Sequence, residues 1–234
     1  MTAFLLAAPA FASEGPEDDE HSAEPPGEEG ETTELPEFAG ADRPLFEEAT
    51  RQLSLMRSST YVHKTSVDEA AGRFDFDCSG FISYALAHAS RAAYRELRAF
   101  AHHRPLAKDF VAVASNTESK HFAALPRVSE LQRGDLLAWL KPADVTSRNT
   151  GHVMLVAGMP RERSPGEWEI PIIDSTAAPH GKSDARKSRH ATGLGEGVVV
   201  VAVDARGAPT GYKWSTWSKS KLHSTQVVLL RVKP

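Results

Sequence analysis

The chain has 234 residues, 31 acidic against 27 basic side chains, 41% hydrophobic content and one cysteine. A single thiol allows neither an internal disulfide framework nor a multi-cysteine zinc site, and no stretch approaches the roughly 18–20 apolar residues of a membrane-spanning helix. The net charge of −4 hides a division: Ser13 to Gly40 holds 11 carboxylates and no Lys or Arg, leaving 20 acids against 27 bases, or +7, elsewhere.

The first twelve residues, MTAFLLAAPAFA, carry an apolar run from Ala3 to Ala8 and end in Ala10-Phe11-Ala12, the small-x-small pattern that precedes a signal-peptidase cut. Residues 1–12 are therefore expected to act as a signal peptide directing export to the periplasm or cell envelope; without that signal the chain stays in the cytoplasm. Residues 13–40 are polyacidic, rich in Pro and Gly and poor in apolar side chains. Such a segment buries too little surface to offset its chain entropy and is expected to be a disordered linker. Residues 41–234 have the size of one compact domain.

Within that domain, Leu45, Ala49, Leu53 and Met56 recur at helical spacing, which predicts a helix over Pro44 to Met56. Ser58 to Arg73 is polar and irregular. Phe81, Ile82, Ala85, Leu86 and Ala89 then form one helical stripe, predicting a helix from Cys78 to about Phe100 with Asp77 as its N-cap. Cys78 would occupy the first helical position, where unpaired N–H groups and the helix dipole favour a thiolate. Downstream the pattern becomes strand-like: Asp135 to Leu140, His152 to Gly158, Trp168 to Ser175, Gly197 to Asp204, Tyr212 to Trp214 and Gln226 to Val232. Helices followed by strands describe an α+β domain with N-terminal helices packed on an antiparallel sheet.

A symmetric hairpin around Arg161 to Gly166 would pair Met154 with Ile172, Val156 with Ile170 and His152 with Asp174. Directly opposed residues share a face, so an imidazole and a carboxylate would meet. A thiolate nucleophile, an imidazole and a group that orients the imidazole make a complete acyl-transfer set, and Cys78, His152 and Asp174 supply it.

These residues resemble the NlpC-type papain-like cysteine peptidases, bacterial enzymes that cut peptide bonds in cell-wall stem peptides. The resemblance rests on Asp77-Cys78-Ser79-Gly80-Phe81 at a helix start, Leu131-Gln132-Arg133-Gly134-Asp135-Leu136-Leu137 opening a strand, Gly151-His152-Val153 opening the next, and Ile173-Asp174-Ser175-Thr176 on the one after. It covers Tyr61 to about Thr176, roughly half the chain. It implies a papain-like fold with Cys78 as nucleophile, His152 as general base and Asp174 in the orienting position, where many relatives carry a histidine. It also implies a peptidoglycan stem peptide or another amide as substrate. Tyr61 lies where the family often places a hydroxyl near the oxyanion; Asp77, Ser79 and His180 are further oxyanion or substrate-binding candidates. The long segment from Ser90 to Arg133 is expected to be an insertion shaping the substrate cleft.

Other features favour plainer roles. His102, His103 and His121 lack an acidic partner at ligand spacing and read as solvated residues, so neither metal nor cofactor is expected. Trp214 and Trp217 could stack on a sugar, but aromatic residues beside a strand more often pack. The basic excess lacks interleaved aromatics and a phosphate-cradling glycine loop, which argues against nucleic acid. A monomer is expected. Two rival functions are a transglutaminase-like acyltransferase and a cell-wall-binding module that lost its chemistry.

Overall fold

The computed structural model describes residues 44–233; the expected signal peptide and acidic linker lie outside the described residues. Helix α1 (Leu45–Leu55) starts after Pro44, which stands at its N-cap, where a missing N–H costs no intrahelical hydrogen bond. Buried Glu48 on α1 is paired with Arg51, which also bridges to Glu69 in the turn between β1 (Ser66–Asp68) and β2 (Arg73–Asp75). The Tyr84 hydroxyl donates to the same Glu69 at 3.0 Å, docking α1 and this hairpin onto the next helix. The stretch expected to be irregular before Arg73 thus contains a two-stranded sheet.

Helix α2 (Cys78–Ala89) is buried at every position except His88, so tertiary packing on all sides, more than one amphipathic face, holds it. It ends at Ser90, whose φ of −155° and ψ of 85° are not helical, and α3 (Arg91–Ala101) follows with Ala93, Leu97 and Ala101 buried. The expected single helix is therefore two. A straight helix of that length would run about 35 Å, past the core; the break lets α3 fold back against α2. Helix α4 (Ala107–Val113) then lies across β4 (Leu136–Leu140) and β5 (Gly151–Val156), and β3 (Phe122–Ala124) follows it in the chain.

The remaining strands are β6 (Arg161–Ser164), β7 (Glu167–Thr176), β8 (Gly193–Val203), β9 (Pro209–Lys213), β10 (Leu222–Ser224) and β11 (Val227–Val232), with the short helix α5 (Ala185–Arg189) between β7 and β8. Nine strands form one sheet, in the order β10-β9-β8-β7-β5-β4-β11-β3 with β6 paired to β7, and every pairing in it is antiparallel. The domain is thus mixed helix and antiparallel sheet.

Alternation along the strands builds two cores. Leu136, Ala138, Val153, Leu155, Ile173 and Leu230 join the helices in one, while Leu137, Trp139, Met154, Val156, Ile172 and Leu229 face the other side with Val199, Val201 and Tyr212. His152 and Asp174 have the parity of the second face. The β5–β7 register is Leu155↔Ile173 and Val156↔Ile172, two residues from the symmetric hairpin expected from the sequence. The tip turns at Pro165-Gly166, and a bulge between Glu162 and Ser164 offsets the pairing below it. Continued, this register sets His152 opposite Thr176 and makes Asp174 its diagonal neighbour, still on the same face because a shift of two preserves parity.

Candidate active site

The N-terminus of α2 is fixed by side chains close to it in sequence. Asp77 is extended (φ −84°, ψ −179°), and its carboxylate accepts the Gly80 N–H at 2.6 Å and the Ser79 hydroxyl at 3.1 Å. Arg104, from the loop after α3, binds the same carboxylate at 2.8 and 3.0 Å, and His63 approaches it at 3.3 Å. Burial, the largest single influence, favours the neutral acid, but His63, Arg104 and the Gly80 N–H together hold Asp77 down at about 2. A Cβ on Gly80 would lie 2.6 Å from the Thr65 hydroxyl, so the packing leaves no room for a side chain there. Ser175 on β7 donates to the Phe76 carbonyl at 2.5 Å, tying the approach to Cys78 to the strand that carries Asp174.

On the sheet side, Gly151 has φ +147°, and a Cβ there would fall 1.9 Å from the Trp139 carbonyl oxygen. Only glycine lets β5 start this close to β4 and present His152 next. The start of β5 and the end of β7 lie at the same end of the sheet. There the His152 Nε2 meets Asp174 Oδ2 at 2.6 Å. With Nε2 engaged by the carboxylate, Nδ1 is the ring nitrogen left for Cys78, and the thiol acts on His152 through both a hydrogen bond and charge. Burial is the largest influence and opposes a charged imidazole, yet Cys78 and Asp174 outweigh it and raise His152 to about 9. Trp139 pairs with His152 across the strands, and Trp214 stands edge-on to the ring at 5.0 Å, so aromatic rings cover the imidazole.

Asp174 is fully buried and fully used. Its Oδ2 also accepts from His180 Nε2 at 2.8 Å, and its Oδ1 accepts from Arg186 Nη2 at 2.9 Å. Burial would raise this carboxylate, but the charges of His180 and Arg186 with both imidazole hydrogen bonds hold it well below the ordinary range. Arg186 places all five of its N–H donors: on the Asp174 carboxylate and carbonyl, the Gly193 carbonyl and both oxygens of Asp184. Donor atoms of His152, Asp174 and His180 lie within 4.8 Å of one another, a spacing a cation could exploit. The donor set does not fit one: each Nε2 points at the carboxylate within 2.8 Å, a contact that needs a proton in between, and a guanidinium already sits on the opposite oxygen.

The structure joins His152 to Asp174, and the Cys78 thiol acts on His152. Tyr61 is half-buried, with its ring edge-on to His63 at 5.7 Å, and both Tyr61 and Cys78 act on the Arg104 charge. Asp77 and Ser79 differ from the expectation of substrate contact: both are buried, and their polar atoms are spent on the helix cap and Arg104. His180 differs as well. It is fully buried behind Asp174, with Nδ1 at 2.8 Å from the Trp214 carbonyl, so it faces no cleft. Trp214 packs on both imidazoles, and Trp217 lies under the Lys187 ammonium at 4.5 Å. The segment from Ser90 to Arg133 builds α3, α4, β3 and a 3₁₀ turn at Val128–Glu130, and gives the site Arg104. Arg186, Asp184 and Arg104 were not expected. The available signal was Gly193-x-Gly195-x-Gly197 opening a strand, a pattern that makes room for something large.

Comparison with known proteins adds one likeness. Over 162 residues, 62% of this chain and 70% of the other, the chain is 29% identical to "Uncharacterized protein R653" of Acanthamoeba polyphaga mimivirus. No family profile matches the chain, and no solved structure does.

Proposed function

We propose that the chain is a papain-like cysteine amidohydrolase of NlpC type, acting on amide bonds of peptidoglycan stem peptides. The observation that carries this reading is the shared site of Cys78 at the first position of α2, His152 acting on that thiol, and Asp174 on the far nitrogen of the same ring. The raised proton affinity of His152 suits it to take the proton of the Cys78 thiol.

The Cys78 sulfur attacks the amide carbonyl carbon. As the tetrahedral intermediate collapses, the C–N bond breaks, a thioester forms, and the proton on His152 Nδ1 passes to the leaving amine. Neutral His152 then takes a proton from water, which attacks the thioester and releases the acid; the thiolate and imidazolium are restored. Asp174 holds the ring so that Nδ1 faces the sulfur, and the Cys78 N–H with the Tyr61 hydroxyl supports the oxyanion. On this reading the first twelve residues take the enzyme to the wall, and the basic excess of residues 41–234 suits anionic substrate.

Digestion of defined muropeptides, followed by mass spectrometry, tests the proposal. Wild-type protein is expected to release a new amine and Cys78→Ala none, with both equally folded by circular dichroism; undiminished release by Cys78→Ala would sink it. An added primary amine appearing in the products would assign acyl transfer instead of hydrolysis.

A further inference from the structure

Behind Asp174 lies a buried group that the acyl-transfer chemistry does not itself require. His180 is at 0% exposure, Asp184 at 1% and Arg186 at 4%. Asp184 accepts the backbone N–H of His180 at 2.8 Å and that of Arg186 at 2.9 Å, so one carboxylate fixes the loop that carries both side chains. Strand β8 is carved to receive them. A Cβ on Gly195 would lie 2.8 Å from Arg186 Nε, and one on Gly197 would lie 2.8 Å from the Cβ and Cδ2 of His180. Two glycines at i and i+2 on one strand face thus make space for two buried cationic side chains, an arrangement that serves Asp174 specifically.

His180 has acceptors at both ends. Nδ1 faces the Trp214 carbonyl and Nε2 faces Asp174, each at 2.8 Å. A ring with one proton would turn a lone pair against an oxygen, so the geometry calls for both protons. The four groups Asp174, Asp184, Arg186 and doubly protonated His180 then sum to zero charge, which a buried cluster favours. His180 and His152 share one oxygen, and their ring centroids are 6.2 Å apart.

We propose that His180 is a positioning residue for the Cys78–His152 pair, acting on His152 through the oxygen of Asp174 that the two rings share, with Arg186 and Asp184 holding it in place. This rests on the peptidase reading of the site. The groups facing His152 are Cys78 from α2, Asp174 from β7 and His180, beside Trp139 and Trp214; those facing His180 are Asp174, Arg186, Asp184 through its backbone contact, and His152. Because His180 competes for Asp174 and adds a like charge, it weakens the grip of Asp174 on the His152 proton. The site thereby keeps a base that can give its proton to a leaving amine.

The test is a pH titration of the full chain with nitrogen-15 labelled histidine, beside the pH profile of iodoacetamide reaction at Cys78, the one thiol. In wild type, His152 should lose its proton near pH 9. In His180→Gln the loss at His152 should move up by about one pH unit, and in Asp174→Asn it should move down. General loosening of the site would instead drop His152 toward its ordinary value in both variants. An unmoved or lowered titration in folded His180→Gln overturns the proposal; so does a singly protonated His180 in wild type, which needs no variant. Zinc binding at the two imidazoles would overturn it also. If Cys78 proves inert and insensitive to His152, the peptidase reading itself fails, an outcome separate from a reactive Cys78 that ignores His180.

Discussion

At Arg186 five donors meet five acceptors inside the protein, and both carboxylates it serves are buried. Removing one partner of such a group leaves uncompensated charge, the costliest kind of single change. Arg186→Leu is expected to lower unfolding free energy by about 3–5 kcal/mol, read from urea denaturation, because it leaves two buried carboxylates unpaired. At Cys78 the buried side chain is small and its partner is His152, so Cys78→Ala should remove reactivity, keep the fold and lose only the stability that the thiol lends the imidazole. For the pair itself the pH sign is fixed. The imidazolium is needed to protonate the leaving amine, so amide turnover should fall as pH rises through about 9, where His152 loses its proton. A turnover profile that keeps rising well past that pH would contradict the pairing.

At the scale of elements, the same physics decides where each side chain is offered. The α2 N-terminus depends on Asp77, and Asp77→Ala should cost about 1–2 kcal/mol in stability and also release Arg104. Strand β8 depends on having no side chain at two positions. Gly197→Ala presses a methyl into the His180 ring and is expected to cost about 1–3 kcal/mol by thermal or urea melting, with the His152 titration disturbed as well. Elements also show which patterns a sequence displays. The Cys78 helix and strands β4, β5, β7 and β11 were legible from periodicity, because each repeats apolar residues at its own spacing. Glycines at 193 and 195 read as a turn and hid the first four residues of β8, since glycine there reflects what packs on the strand. The exposed β6, with all four residues polar, and the three-residue β3 and β10 gave no alternation to detect. The break at Ser90 was invisible for a related reason: the apolar stripe continues through it, and only the size of the core requires the fold back.

For the whole molecule, the two ends of the pH scale should weaken it through different groups. Asp77 is held near 2 against an ordinary 3.8, so its contribution is present above the ordinary value and lost as pH falls through about 2. His152 is held near 9 against an ordinary 6.5, so its contribution is complete below 6.5 and lost as pH rises through about 9. Melting temperature should therefore form a plateau from about pH 4 to 7, with Asp77→Asn flattening the acid side and Cys78→Ala, which removes a partner of His152, flattening the alkaline side. What the sequence alone determined is a matter of local spacing: a cysteine behind a capping aspartate at a helix start, and an imidazole and a carboxylate whose positions share strand parity. That parity survived a register error of two, because side chains alternate with period two. What only the tertiary structure decided is which charges meet behind Asp174. His180, Asp184 and Arg186 lie in the connection from β7 to β8, whose sequence has no period, and their partners follow from how that connection folds over two glycines of the next strand.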